Sequence, residues 1–365
     1  MTMPFHPLDP ASEQRRARIA ADLAKYYAEL APTAPKPEAK FSLRRLIDTM
    51  ARGEFKVGGS HEAVVAQAAA TAMGSHFDPT RAVVPWGVLM QRELLTETGQ
   101  AGGFLVASNT VSALDVLRPY SVVARMGVKV LEGLASNLLV PNVSSPVTGQ
   151  WLANQQAAAT PSDPTIGLIS STPKTASALV RASYAFMKQA ATADEFLRQQ
   201  LLAAVGAMLD RAVLQGTGSL GQPAGLLSAS GIGSQSGALT WANVLDTLQT
   251  LGAANIDDEQ VRFLTTPAVR RILQGRETVS TSGRMIWEGD RIAGKPAAVS
   301  TDVPAATVFV GDWSKCLIAL WGAGLEVEVD PYTSFTSGAV LVRVMIHTDV
   351  IFSKPAAFVR HTSAS

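Results

Sequence analysis

The sequence predicts a mixed α+β fold, and three observations carry that expectation. A capped, amphipathic helix of about 22 residues runs from Thr192 to Gly216. A long, charge-poor stretch between Pro141 and Pro173 lies between β-like runs, as a long hairpin would. From Val261 to His347 short apolar runs follow one another at strand length, punctuated by Gly, Pro and Asp.

At the N-terminus, Asp9-Pro10 opens a helix, with Asp as N-cap and Pro in the first turn. Ile19, Leu23, Tyr26 and Leu30 recur at helical spacing. Pro32, Pro35 and Pro37 make the segment to Lys40 an extended linker. Helices are predicted over Phe41–Arg52 and, after Gly58-Gly59, over the Ala-rich Ser60–Met73. Ser60 caps the second without a capping box, because Ala63 stands where Glu would. At Gln100–Val106 the chain changes character, and short β-like runs alternate with helices beyond it.

Leu138-Leu-Val140 ends at Pro141, and from there to Pro173 the only charge is Asp163. A connection this long is usually functional or disordered. With Trp151 and Ile166-Gly-Leu168-Ile it is too apolar for a linker. It is also too thin to have its own core, and a lone two-stranded ribbon is marginal in water, so something outside the subunit's core must cover it. Ser177–Phe186 reads as a strand. Thr192-Ala-Asp-Glu195 is a capping box, followed by Phe196, Leu197, Leu201, Val205, Met208, Leu209 and Ala212 on one face. Gly216 is expected to end the helix as a left-handed cap. Beyond a Gly/Ser/Pro-rich stretch, helices are predicted at Trp241–Leu251 and Pro267–Leu273. Strands are predicted at Val261–Leu264, Ala297–Ser300, Val308–Val310, Leu317–Leu320, Leu325–Val329 and Ala339–His347.

Composition narrows the function classes. Of 365 residues, 47% are hydrophobic, so a sizeable core is available; only 17% are charged, against about 25% in an average protein. A surface covered by copies of the same chain explains the deficit, since interface cores are depleted in charge; an Ala/Gly-rich host proteome explains it equally. A net charge of +1 gives no global field for nucleic acid. The single Cys316, in an apolar run, excludes a disulfide framework and a thiolate cage and reads as a buried, inert thiol. No apolar stretch is long enough to span a bilayer. Arg15, Arg16, Arg18, Asp22 and Lys25 interrupt any signal-peptide core, so synthesis in a cytoplasm is expected.

Catalytic motifs fail on context. Gly216-Thr-Gly-Ser-Leu-Gly221 matches G-x-G-x-x-G, but a helix ends on it where the dinucleotide fingerprint needs one to begin. Gly289–Lys295 matches a P-loop until Pro296 replaces the Ser or Thr and removes a backbone N–H. A turn into the next strand is expected there. Ser171-Thr-Pro-Lys174 lacks the partner motifs of S-x-x-K enzymes. His6, His61, His76, His347 and His361 are scattered, with no i,i+4 pair for a metal. His347 reads as a satisfied core or edge residue. Glu326, Glu328 and Asp330 alternate on one strand face and are expected to meet solvent or a partner's basic patch. No catalytic, cofactor or metal residues are assigned.

From Gly102 onward the ordered set of features resembles the major capsid proteins of tailed bacteriophages, the Hong Kong 97-type shell fold. Leu138–Pro141, Trp151, Ala159–Pro164 and Lys174 look like its extended E-loop; Thr192–Gly218 with Gly221–Leu226 like its spine helix and exit. Phe263–Pro267, Arg270–Leu273, Gly294–Pro296 and Gly311–Ser314 look like its axial domain, and Leu325–Pro331 through Phe335–Gly338 to Ile346 like the peripheral-domain ribbon. The implied layout is a helix and Pro-rich linker at 1–40 as a removable scaffolding segment, an N-terminal arm region at 41–135 whose Ala-rich helix belongs either to the arm or to the removable segment, the hairpin at 136–186, the spine helix at 187–235, the axial domain at 236–324, and the peripheral ribbon and C-terminus at 325–365. The resemblance implies a shell protein forming pentamers and hexamers around double-stranded DNA, which it contacts weakly and non-specifically. It implies portal and, in some members, scaffolding, protease and decoration partners, with assembly in the host cytoplasm and residence in the virion.

Under that resemblance Trp151, Asp163, Ile166, Leu168, Lys174, Asp330, Tyr332 and Phe335 are candidate inter-subunit contacts. Trp151 is either an aromatic anchor on a neighbour or packed on its own subunit. Some members weld subunits through a Lys–Asn isopeptide bond. Here no Lys lies between Lys129 and Lys174, no Asn follows Asn255, and Met345 stands where the Glu is needed, so no cross-link is expected. An encapsulin-type compartment or a gene-transfer particle would share the fold and differ in cargo. A hydrolase is disfavoured, because no nucleophile–base pair emerges.

Overall fold

The computed structural model describes residues 41–72, 76–89, 113–145, 165–184, 193–279, 283–334, 337–362 and 364. The predicted N-terminal helix and linker, the Gln100–Val106 transition, the hairpin tip with Trp151 and Asp163, the Thr192 cap and Phe335 lie outside these residues.

Two helices lead in. Helix α1 (Leu43–Ala51) starts on Ser42, whose hydroxyl accepts from the Arg45 N–H at 3.2 Å; α2 (His61–Ala72) starts on Ser60, which accepts from the Ala63 N–H at 3.1 Å. Leu43, Leu46, Ile47 and Met50 recur at helical spacing and are buried in the main core. This segment, expected as an arm, is therefore structural. Asp194 accepts hydrogen bonds from the Ser42 hydroxyl (3.0 Å) and the Arg44 N–H (2.8 Å), and buried Glu62 accepts from Arg45 Nε at 2.8 Å.

Three short helices follow, α3 (Trp86–Leu89), α4 (Ala113–Leu117) and α5 (Val122–Arg125). The long helix α6 (Ala193–Gln215) has 23 residues, about 34 Å at 1.5 Å per residue. Leu197, Leu201, Leu202, Val205, Leu209, Val213 and Leu214 are its buried side. Phe196, expected on that side, is exposed, because one step along a helix turns a side chain about 100° from Leu197. Gly216 ends the helix for a different reason from the one expected. Its φ is not among the positive values; a Cβ there would meet the Pro223 carbonyl oxygen at 2.3 Å and that of Ala212 at 2.5 Å. Close backbone approach, not a left-handed cap, demands glycine here. Asp210 is buried on α6 and accepts from the Ser121 hydroxyl and the N–H groups of Val122 (2.8 Å) and Val123 (3.2 Å), capping α5 from outside. Burial raises its pKa.

The strands in chain order are β1 (Arg81–Pro85), β2 (Lys129–Leu134), β3 (Leu138–Ser145), β4 (Thr165–Ser171), β5 (Lys174–Ser183), β6 (Gly233–Ser236), β7 (Val261–Thr265), β8 (Trp287–Glu288), β9 (Arg291–Ile292), β10 (Lys295–Val299), β11 (Thr307–Asp312), β12 (Cys316–Asp330), β13 (Ala339–Phe352) and β14 (Phe358–Thr362). A five-stranded sheet runs β1-β12-β13-β5, with β2 also on β12. The two strands expected at Leu317–Leu320 and Leu325–Val329 are one, β12, with a register shift between Trp321 and Glu326. Its edge takes β2 in parallel at Leu317–Trp321 and β1 antiparallel at Gly324–Glu328. Gly324 makes the second pairing fit, since a Cβ there would sit 2.0 Å from the Val84 oxygen.

A seven-stranded sheet runs β6-β14-β11-β7-β10-β9-β8. Helices α7 (Trp241–Ala253) and α8 (Pro267–Gln274) belong with it, capped by Thr240 and Thr266. Leu239, Val244, Leu251, Phe263, Val269, Leu273 and Trp287 form this second core. The P-loop-like Gly289–Lys295 is a pair of two-residue hairpins. Gly289 and Asp290 have φ 55° and 57°, and Ala293 and Gly294 have 49° and 76°, the paired positive values of type I′ turns. Residue 324/325 falls inside β12, and both β6 and β14 pair within the seven-stranded sheet although residues 233–235 and 358–362 were assigned to the spine and peripheral segments.

Candidate assembly interface

Strands β3 and β4 form a two-stranded ribbon, with Leu138 opposite Ser171 and Pro141 opposite Leu168. The strand predicted to end at Pro141 continues through it. In a two-stranded ribbon Pro can face outward, so its missing N–H breaks no ladder. Alternation places Leu139, Pro141, Leu168 and Ser170 on one face and Leu138, Val140, Gly167 and Ile169 on the other. The second face is half-buried. The first is open, with Leu139 59% and Leu168 68% exposed. Ile166 lies opposite Val143 at the far end of the described ladder.

Both feet of the ribbon are fastened. Trp321 Nε1 donates to the Ser136 carbonyl at 2.8 Å, just before β3. Buried Asp349 on β13 accepts from the Ser171 hydroxyl at 2.7 Å and pairs with Lys174 Nζ at 2.7 Å, just after β4. Lys174 is thus committed within its own chain. The same chain supplies the feet, and among the described residues nothing covers the apolar face.

The acidic strand face has internal partners, which corrects the expected solvent or neighbouring patch. Arg81 Nε pairs with Glu328 at 3.0 Å and Arg81 Nη1 with Glu326 at 3.3 Å. Arg343 Nε donates to Glu328 at 2.9 Å, and His347 Nε2 lies 3.3 Å from Glu326, with its Nδ1 2.9 Å from the Thr175 hydroxyl. Burial pushes the Glu328 carboxyl up, but hydrogen bonds from Arg343 and Arg81 outweigh it and hold the pKa below the usual carboxylate range. Asp330 accepts from the Thr333 hydroxyl and from the N–H groups of Tyr332 (2.8 Å) and Thr333 (3.3 Å), which lowers its pKa. It shapes the turn that carries Tyr332, 82% exposed.

Of the candidate contacts, Leu168 and Tyr332 are exposed, Lys174 and Asp330 serve their own chain, and Trp151, Asp163 and Phe335 lie outside the described residues. Residues not anticipated as structural partners are Arg81, Arg343, Asp349 and Asp194. Cys316 is buried, and burial raises its pKa, as its apolar run suggests. Among the described residues no three His, Cys, Asp or Glu gather as metal ligands, and no helix is long and apolar enough to cross a membrane.

The sequence profile of the phage capsid family matches residues 66–362. The chain belongs to the phage capsid family. The major capsid protein of Halomonas phage phiHAP-1 is 31% identical over 328 residues, covering 88% of this chain and 54% of that protein; the chain thus spans about half the length of this relative. Among solved structures, the capsid of a native GTA particle superposes with a TM-score of 0.53 at 18% identity, covering 74% of this chain and 96% of that one. A chain of Mycobacterium phage Bobi gives 0.51 at 12% identity, covering 73% and 95%. The phage capsid fold of these neighbours is the Hong Kong 97-type α+β fold that the ordered motifs suggested.

Proposed function

We propose that this chain is the major capsid protein of a tailed phage, assembling with copies of itself into pentamers and hexamers that close an icosahedral shell around double-stranded DNA. One observation carries the proposal: a ribbon clamped at both feet by Trp321 and Asp349 presents an apolar face, Leu139 and Leu168, that the described residues of its own subunit leave open. Covering that face with a neighbour gains hydrophobic free energy at each of many equivalent contacts, so shell stability accumulates by multivalency even where one contact is weak.

The role is structural, without catalysis. Assembly takes place in the host cytoplasm, with portal and in some settings scaffolding, protease or decoration proteins as partners, and the product resides in the virion. Residues 1–40 are dispensable in the finished shell. No isopeptide weld forms: Lys174, the lysine nearest the ribbon, is held by Asp349, and a covalent ladder on a denaturing gel of shells would contradict this. A gene-transfer particle would use the same shell and differ in carrying host DNA fragments, which sequencing of packaged DNA distinguishes.

The test is electron microscopy and sedimentation of the full chain expressed alone. Closed or partly closed shells are expected from the native sequence. The variant L139E/L168E should fold with an unchanged melting temperature, because both side chains are exposed, and should stay unassembled. A native chain that remains a monomer at high concentration, or a variant that assembles normally, would overturn the proposal.

A further inference from the structure

A cavity of about 360 Å³ opens where α5 meets the seven-stranded sheet. Its wall carries Arg125 from the end of α5, Arg262 from β7, Arg270 from α8 and Asp290 from the first hairpin turn. Met126 and Pro296–Val299 of β10 supply an apolar floor. Arg270 is held in place, 3.1 Å from Asp290 and with its guanidinium carbon 5.5 Å from the Trp287 ring centroid. Neither Arg125 nor Arg262 has a side-chain partner among the described residues. Three guanidiniums against one carboxylate leave an excess of two positive charges on a concave surface.

We propose that this cavity is a phosphate site. Charge and geometry both favour phosphate over a carboxylate. A single carboxylate would leave a positive charge uncompensated, whereas a phosphate group with a free terminal oxygen carries close to two negative charges at neutral pH. Guanidinium forks match phosphate oxygens in bidentate fashion. The volume exceeds one phosphate, and the floor at Met126 and Ala297–Val299 is apolar, so the ligand is a pyrophosphate or a phosphate carrying an organic part, either as a free phosphomonoester or, since a backbone phosphodiester carries a single charge, as two successive phosphates of a nucleic-acid strand. The site stands on the cavity itself and does not require that the chain assemble.

The experiment is titration calorimetry of the purified full chain at low salt. The probes are inorganic pyrophosphate, a short single-stranded oligonucleotide and an acidic peptide, applied to the native chain, R125Q/R262Q and the charge control R52Q. Saturable pyrophosphate binding is expected, weakened at least tenfold in R125Q/R262Q and unchanged in R52Q, whose arginine pairs with Asp48 on α1 away from the cavity. Competition by the oligonucleotide assigns the phosphate to a strand; binding of pyrophosphate without that competition assigns it to a small ligand. Should the double variant fail to fold, R125Q alone makes the comparison, since Arg125 is exposed. No saturable binding, binding indifferent to R125Q/R262Q, or tighter arginine-dependent binding of the acidic peptide would overturn the proposal.

Discussion

Lys174 and Asp349 meet at 2.7 Å at the foot of the ribbon, and the Ser171 hydroxyl reaches the same carboxylate oxygen at the same distance. Asp349 lies beside Thr348, which stands opposite Lys174 in the β13–β5 ladder. The ion pair therefore ties the end of one strand of the ribbon to the middle of the sheet. Asp349 is buried and Lys174 half-buried, so removing one partner strands a charge. D349A should lower subunit stability by about 2–3 kcal/mol, and K174M by less, because Asp349 keeps its bonds from Ser171 and the Val350 N–H. Denaturant unfolding of the unassembled chain measures both; equal losses would mean that Lys174, not the carboxylate, organises the foot.

Gly324 and Gly133 give a matched pair. At Gly324 an added methyl would sit 2.0 Å from the Val84 oxygen, whereas at Gly133 there is open space and only a φ of 72° to oppose it. G133A should cost about 1 kcal/mol from backbone strain. G324A must push β1 off β12 and separate Arg81 from Glu326 and Glu328, so a cost of about 3 kcal/mol or more is expected. Thermal melts of the two variants, with the native chain as reference, decide the order.

The same region shows what a sequence can and cannot disclose. The spine helix is legible because its apolar period is local. Its end at Gly216 is legible in place but not in cause, since the demand for glycine comes from Pro223 across a loop. Leu317–Leu320 and Leu325–Val329 read as two strands; Gly322 and Gly324 between them are the bend of one, and only the arrival of β1 reveals it. Arg81 and Glu328 are 247 positions apart, so no local pattern could name the basic partner of the acidic face. The ribbon's exposure follows from its thinness and lack of charge, whereas its fastening by Asp349 depends on sheet register.

His361 supplies a pH dependence. It is buried in β14, and neither ring nitrogen has a partner among the described residues. Burial lowers its pKa from the ordinary value of 6.5. The unfolded chain therefore binds a proton that the folded chain refuses. Its contribution to stability is full above pH 6.5 and is lost as the pH falls from there through the depressed folded value. Glu328 and Asp330, both lowered, lose their contributions in the same direction but further into acid, below the ordinary carboxylate values. The melting temperature of the native chain should fall between pH 7 and about 5.5, and H361L should flatten that part of the profile while leaving the acid limb. An unchanged profile in H361L would place the titrating group elsewhere.

The N-terminal boundary of the indispensable chain is set by Asp194. Its carboxylate holds the Ser42 hydroxyl, the Arg44 N–H and Arg198 Nη2 (2.9 Å) together, joining α1 to the first turn of the spine helix. Behind that knot Leu43, Leu46, Ile47 and Met50 fill the main core. A chain starting at residue 41 keeps every one of these contacts and should melt as the full chain does. A chain starting at residue 53 removes five buried side chains, Phe41, Leu43, Leu46, Ile47 and Met50, each worth about 2 kcal/mol or more in a packed core, and leaves Asp194 without its bonds from Ser42 and Arg44. It should fail to fold. D194A tests the knot without truncation: it leaves buried Arg198 only Glu195 at 3.5 Å, and a loss of about 3 kcal/mol is expected. Limited proteolysis of the native chain should accordingly trim no further than residue 40, and a stable fragment beginning inside α1 would show that the helix is an appendage after all.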